Sequence, residues 1–202
     1  GDVLAQSHVS SGPAMADVLD KLMSLEIVQK RAPINDPTNK RKSGYFVVDP
    51  LSLFYYRYVF RNASARQLLD PEVFYDRHVS QDFEENYVPH MFEEICRQYL
   101  VRQNRTGKIE PAFDAIGKYW YDDPANKTSG EFDVVTQDPE GYAFYEAKFL
   151  KSPITQRMVD EEIAQVEATG LKCHRYGFFS RSGFEAGKSD RTFFIDLPQM
   201  FG

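Results

Sequence analysis

Between Glu131 and Lys148 the chain reads EFDVVTQDPEGYAFYEAK, which brings two carboxylates and one ammonium, Asp133, Glu146 and Lys148, into a short stretch. Asp138, Pro139, Glu140 and Gly141 suit a type I turn: Asp accepts from the backbone at the first position, Pro is preset for the second, and Gly is tolerated at the fourth. If that turn closes a hairpin on Asp138 and Gly141, counting back pairs Gln137 with Tyr142, Val135 with Phe144, and Asp133 with Glu146. A bulge at Gly141 would offset the last pair by one. Glu146 and Lys148, two apart on one strand, share a face. Like charges facing each other across a ladder are destabilising unless something compensates them, and a divalent cation would. Oxygens from Asp133, Glu146 and a backbone carbonyl, completed by waters, suit Mg2+ or Mn2+ rather than zinc. Lys148 beside such an ion could steer a water toward phosphorus or stabilise developing negative charge. The alternative is a row of surface ion pairs.

The elements that must hold these groups are legible as periodicities. Val88, Phe92, Ile95, Cys96 and Tyr99 recur at three and four, predicting a helix from about Tyr87 to Arg102 that breaks at Thr106 and Gly107. Glu93 and Glu94 fall on opposite flanks of its apolar stripe; both are candidate further acids, or plain helix surface. Short strands follow at Phe132 to Thr136 and Ala143 to Phe149, then a helix from about Ile154 to Ala168 bearing Met158, Ile163 and Val166. Strands at Tyr176 to Ser180 and Thr192 to Asp196 complete a mixed α/β domain with the sheet at its centre. Gln165 could reach the strand edge or remain a solvated amide. Tyr119, Trp120 and Tyr121 form a bulky strand or turn before the hairpin, whose rings either cover one side of the site or, as expected, pack in the core.

Upstream, Met15, Val18, Leu19, Leu22 and Met23 predict a helix, Leu25 to Gln29 a short strand, and Tyr45 to Val48 another, with Lys40, Arg41 and Lys42 between them. Helix, strand, basic loop and strand make the second half of a winged helix. Lys40, Arg41 and Lys42 at the wing are candidate nucleic-acid contacts, or a solvated loop in a domain used for protein contacts. Leu51 to Phe60 is apolar on more than one side, predicting a helix sandwiched between domains, and 62–86 reads as helical connector. The expected division is a partial winged helix at 1–50, a helical linker at 51–86 and the α/β domain at 87–202.

Thirty acidic against 24 basic side chains give a formal charge of −6, which argues against binding dominated by phosphate contacts but leaves room for a local site. Cys96 and Cys173 read as free thiols in a reducing compartment. No leader or membrane-length apolar run is present, so a cytoplasmic protein is expected. The first residue, Gly1, suggests a piece of something longer, and the aromatic run at 53–60 suggests a homo-oligomer.

Asp133, Glu146, Ala147 and Lys148, following Glu93 on the helix, resemble the PD-(D/E)XK superfamily, the restriction-endonuclease-like fold. The proline of that motif's name is absent, since Glu131 and Phe132 precede Asp133. The resemblance implies magnesium-dependent cutting of DNA, with Asp133, Glu146 and Glu93 as metal ligands, Lys148 as electrostatic assistant and Gln165 as the helix glutamine of some branches. More closely, the chain resembles the C-terminal region of archaeal and bacterial P-loop ATPases, through YFVVDPLSLFYYRY, FEEICRQYL, IGKYW, EFDVV and FYEAK. That implies DNA and an ATPase module of the same full-length protein as partners. No P-loop lies within the 202 residues, so ATP binding is not assigned to this chain. The other expectation is a catalytically silent module that binds nucleic acid or protein and regulates the ATPase.

Overall fold

The computed structural model describes residues 12–39, 41–123 and 128–201. The chain divides into two compact units, Gly1–Arg31 with Lys40–Gln81, and Ala32–Asn39 with Asp82–Gly202.

The first unit opens with helix α1 (Gly12–Ser24), which buries Met15. Its end is a left-handed cap at Glu26, φ 57°, where Ile27 N donates to Leu22 O and Glu26 N to Met23 O. The cap consumes Leu25 and Glu26, so strand β1 starts at Val28 and runs to Arg31, later than the spacing predicted. It pairs antiparallel with β2 (Gly44–Val47). Asp49 then accepts from Ser52 N at 2.7 Å and, with Pro50 at the first helical position, starts α2 (Pro50–Phe54). A π-helical segment, Tyr55–Phe60, continues it. Tyr58 is buried, whereas Tyr55, Tyr56 and Phe60 are exposed and make edge and tilted contacts with one another. Helices α3 (Ala63–Leu68) and α4 (Pro71–His78) follow, the second capped by Asp70 on Glu72 N.

The second unit is the mixed α/β domain expected. Its sheet orders β3 (Ala115–Asp123), β4 (Thr128–Asp138), β5 (Gly141–Lys148), β6 (Cys173–Ser180) and β7 (Thr192–Asp196). The first three strands run antiparallel and the last three parallel. A parallel neighbour requires a crossover, supplied by α6 (Gln156–Ala168), while α5 (Val88–Arg105) precedes the sheet and α7 (Leu197–Phe201) closes it.

Alternation along the strands sorts the core into two faces. Val134, Ala143, Tyr145 and Phe179 pack with Phe92, Cys96 and Leu100 of α5. Val135, Phe144, Phe178 and Phe194 pack with Val159 and Val166 of α6. The free side of β3 is occupied by Ala32–Asn39. Ile34 N donates to Lys118 O at 2.7 Å, and the Asn35 amide donates to Trp120 O and accepts from Trp120 N. Ile34 packs against the α6-side core.

On β6, Gly177 is required by close packing: a Cβ there would overlap the Tyr145 ring and lie 2.9 Å from Phe193 Cζ. Gly177→Ala should therefore destabilise the domain by about 2 kcal/mol, the usual cost of overpacking a rigid core. Urea denaturation of the two proteins checks this, and equal midpoints would mean the rings yield freely.

Candidate functional site

The turn that sets the site is the one read from the sequence. Asp138 Oδ1 accepts from Glu140 N at 2.8 Å and Gly141 N at 3.2 Å, and Gly141 takes φ 139°, where a Cβ would meet Lys172 O at 2.7 Å. His174 Nε2 lies 2.8 Å from Asp138 Oδ2 and ties the turn to β6. From Asp138 opposite Gly141 the ladder runs in the predicted register to Val134 opposite Tyr145.

At the next position the pattern changes. On the other side of β4, Gly117 pairs with Val135 but Tyr119 pairs with Phe132, two steps along β3 against three along β4. This is a β-bulge, with Asp133 and Val134 opposite Lys118. The packing agrees, because Val135 and Phe132, three apart, both face the α6-side core while Val134 faces α5. The direct Asp133–Glu146 rung is therefore not made. The bulge lies at Asp133 and Val134 rather than at Gly141, and the Asp133 carboxylate meets the Lys118 ammonium at 2.7 Å. Lys118 also reaches Glu131 at 2.6 Å. Burial works against this ammonium, yet its hydrogen bonds to Asp133 and Glu131 hold its pKa above the ordinary lysine value.

Glu146 and Lys148 share a face, as two residues of one strand must. Lys148 Nζ is bracketed by Glu146 Oε1 and Glu162 Oε1, each at 2.7 Å, the second coming from α6. Burial pushes the Glu146 carboxyl up to about 7; Lys148 pulls it back, and the charges of Glu162 and Asp133 add to the rise. Asp133 thus lies within the electrostatic reach of Glu146 although the two are not ladder partners. Burial opposes the Lys148 charge too, but Glu146 and Glu162 more than offset it and its pKa is raised. A void of about 20 Å³ lined by Glu146, Glu162, Phe144 and Tyr176 lies beneath this pair. That is room for one water with polar partners at hand.

The remaining predicted residues are placed as follows. Glu93 is on α5, half-buried, 3.7 Å from His90 Nδ1. The hydrogen bond to Glu93 leads the causes that raise the His90 pKa, while Lys118 pulls it down, so this helix end senses the Lys118 charge. Among the described residues, however, no three His, Cys, Asp or Glu side chains are drawn together as metal ligands, so Glu93 does not join Asp133 and Glu146 in a closed triad. Gln165 is exposed on α6 and donates to the Tyr121 hydroxyl at 3.2 Å, not to a carboxylate. Arg41 and Lys42 are exposed in the turn before β2, and Lys40 lies outside the described residues. The sequence reading missed Lys118, Glu131 and Glu162. Glu162 was findable, since it sits between Val159 and Val166 at three and four; Lys118 was not, because only the bulge brings it to Asp133.

A separate cavity of about 370 Å³ opens between α5 and the β6–β7 side of the sheet, with Tyr99, Lys108, Tyr145, Arg175 and Phe193 among its walls. None of Asp133, Glu146, Lys148 and Glu162 lines it. Among the described residues, no helix is long and apolar enough to cross a membrane.

The chain belongs to the DUF234 family, described as archaeal and bacterial proteins of unknown function, whose model matches residues 55–164. The match includes the hairpin, Lys118 and Glu162. The chain is also similar to an uncharacterized protein of Methanocaldococcus jannaschii, 27% identical over 103 residues, which are 51% of this chain and 23% of the relative. It thus spans about a quarter of that relative's length. No solved structure matches it.

The raised Glu146 pKa has a consequence for stability. Between the ordinary value of 4.5 and about 7, the folded protein holds a proton that the unfolded chain has released, so stability falls as pH rises through that window. Glu146→Gln, which cannot ionise, should gain about 1–2 kcal/mol over the parent above the window, a discounted value because the side chain is 30% exposed. The gain should vanish below it. Urea denaturation at about pH 4 and pH 8 checks this, and a difference independent of pH would contradict a raised carboxyl.

Proposed function

We propose that the second unit is a metal-dependent phosphodiesterase of the PD-(D/E)XK type acting on DNA. The observation that supports this most is the grouping around Glu146: an acid whose ionisation burial resists, in the field of Asp133 and beside a lysine fixed from both sides.

The donor set fits a hard cation. Asp133 and Glu146 offer oxygens only, and magnesium is commonly held by one or two carboxylates with waters and substrate phosphate oxygens filling the rest of its shell. A closed cage of three or more protein ligands is not needed for such a site. When bound, the ion would supply a water of lowered pKa and polarise the phosphoryl oxygen.

The rest of the chemistry belongs to the chain. Lys148, held by Glu146 and Glu162, would offer a fixed ammonium to the negative charge that develops on the phosphoryl oxygens. Because Glu162 is a second partner, Lys148 would keep its place if Glu146 were to bind a cation. Glu162 is thus a positioning residue. The hairpin turn and the apolar clusters on both sheet faces hold these groups on strands rather than loops, which favours precise geometry.

A second reading has its own support: Asp133 already carries a lysine partner, and the chain's charge is −6. Under it, the unit is a silent module that regulates a longer protein, and the resemblance to ATPase C-terminal regions makes an ATPase module of the same polypeptide its expected partner.

Cleavage of plasmid DNA in Mg2+ or Mn2+ separates the two. The parent should cut, and Asp133→Asn should lose at least about 100-fold, more than outer-shell changes usually cost. Its thermal transition should stay close to the parent's, since Asp133 is half-exposed. A parent that makes no product under either metal favours the silent module, and an Asp133→Asn variant that cuts as well as the parent rules out this mechanism.

A further inference from the structure

Lys118 sits where a cation would be expected beside Asp133. Its ammonium bridges Asp133 at 2.7 Å and Glu131 at 2.6 Å. The position is built into the fold at two levels. The β4 bulge leaves Asp133 opposite Lys118, and the backbone of β3 is pinned on its outer side by Ile34 N on Lys118 O and by the paired amide of Asn35 on Trp120.

We propose that Lys118 is a resident counter-ion that competes with the divalent metal for Asp133, and so sets the concentration of metal at which the site fills. This rests on the metal-dependent reading above.

The charges and exposures carry the argument. Among the described residues, the ion pairs of Glu131, Asp133, Glu146 and Glu162 are with Lys118 and Lys148, so these six groups, when all ionised, carry two negative charges in excess, the complement of one divalent cation. The two lysines are not equivalent. Lys148 is the more covered, held between two carboxylates that are themselves largely covered. Lys118 is 36% exposed and its Asp133 partner 41%, so water and salt weaken that pair. Glu131 gives the displaced ammonium a partner to stay with, so the metal need break only one of its two contacts. Lys118 is thus the exchangeable cation of the site and Lys148 the permanent one.

The test is a Mn2+ titration of the full 202-residue chain, with free Mn2+ read by electron paramagnetic resonance and no substrate present. Lys118→Met should bind Mn2+ about tenfold tighter than the parent, because one unit charge has been removed beside a divalent ion. Lys118→Gln, a second neutral variant that keeps a polar side chain, should tighten likewise. Lys118→Arg, which keeps the charge, should stay within about threefold of the parent. Asp133→Asn should lose the site. If Asp133→Asn abolishes binding while both neutral variants bind no tighter than the parent, the role of Lys118 is refuted and the metal site stands. If neither the parent nor the neutral variants bind Mn2+ in a way that depends on Asp133, the metal-dependent reading falls and this inference with it.

Discussion

One extra residue in β4 opposite Lys118 sets the relation between the charged groups of this domain. Without it, strict alternation would stand Asp133 directly across from Glu146, two acids on one rung of a half-covered sheet. With it, Asp133 leaves the ladder, comes within reach of Lys118, and still contributes to the field at Glu146. The bulge also returns Phe132 to the α6-side core, where its ring lies 5.0 Å from Phe144. The apolar packing on that side thus fixes the turn in the chain that re-aims the acid.

Charges so close to a hydrophobic core are tolerated only because each has an answer nearby. Lys148 is answered twice, by a strand and by a helix. Glu146 is answered by Lys148 but still resists ionisation, because its surroundings are the rings of Phe144, Phe178 and Tyr176 rather than water. This is a site under electrostatic load, held by two aromatic-rich clusters that give it little freedom to relax. Such a combination is common where groups are poised for chemistry, and it arises in structural ion-pair networks as well.

Much of this is legible in the amino-acid sequence. The turn Asp138–Gly141 encodes its own geometry, so the register from Gln137–Tyr142 to Val135–Phe144 followed from four residues. The apolar repeats of α5 and α6 and the last strand at Thr192–Asp196 were equally local signals. What could not be read depended on distant pairing. The bulge exists only because β3 lies against β4, and Lys118 had no reason to be singled out until it did. The cap at Glu26 is a different kind of miss, since a left-handed glutamate carries no glycine to announce it, and it moved the start of β1 three residues along the chain. The aromatic run at 53–60 was expected to be covered on more than one side, but helical winding leaves Tyr55, Tyr56 and Phe60 outward while only Tyr58 is buried.

The amide of Asn35 copies the donor and acceptor of a peptide group where it meets Trp120, and Ile34 adds a true backbone bond beside it. A sheet's outermost strand ordinarily offers a row of open hydrogen-bonding groups to any extended polypeptide that drifts past. Two residues of irregular chain, through three hydrogen bonds, close that offer at the middle of β3. The domain is thereby shielded on this flank from growing sideways into strand-paired aggregates, without a further strand being spent on the task.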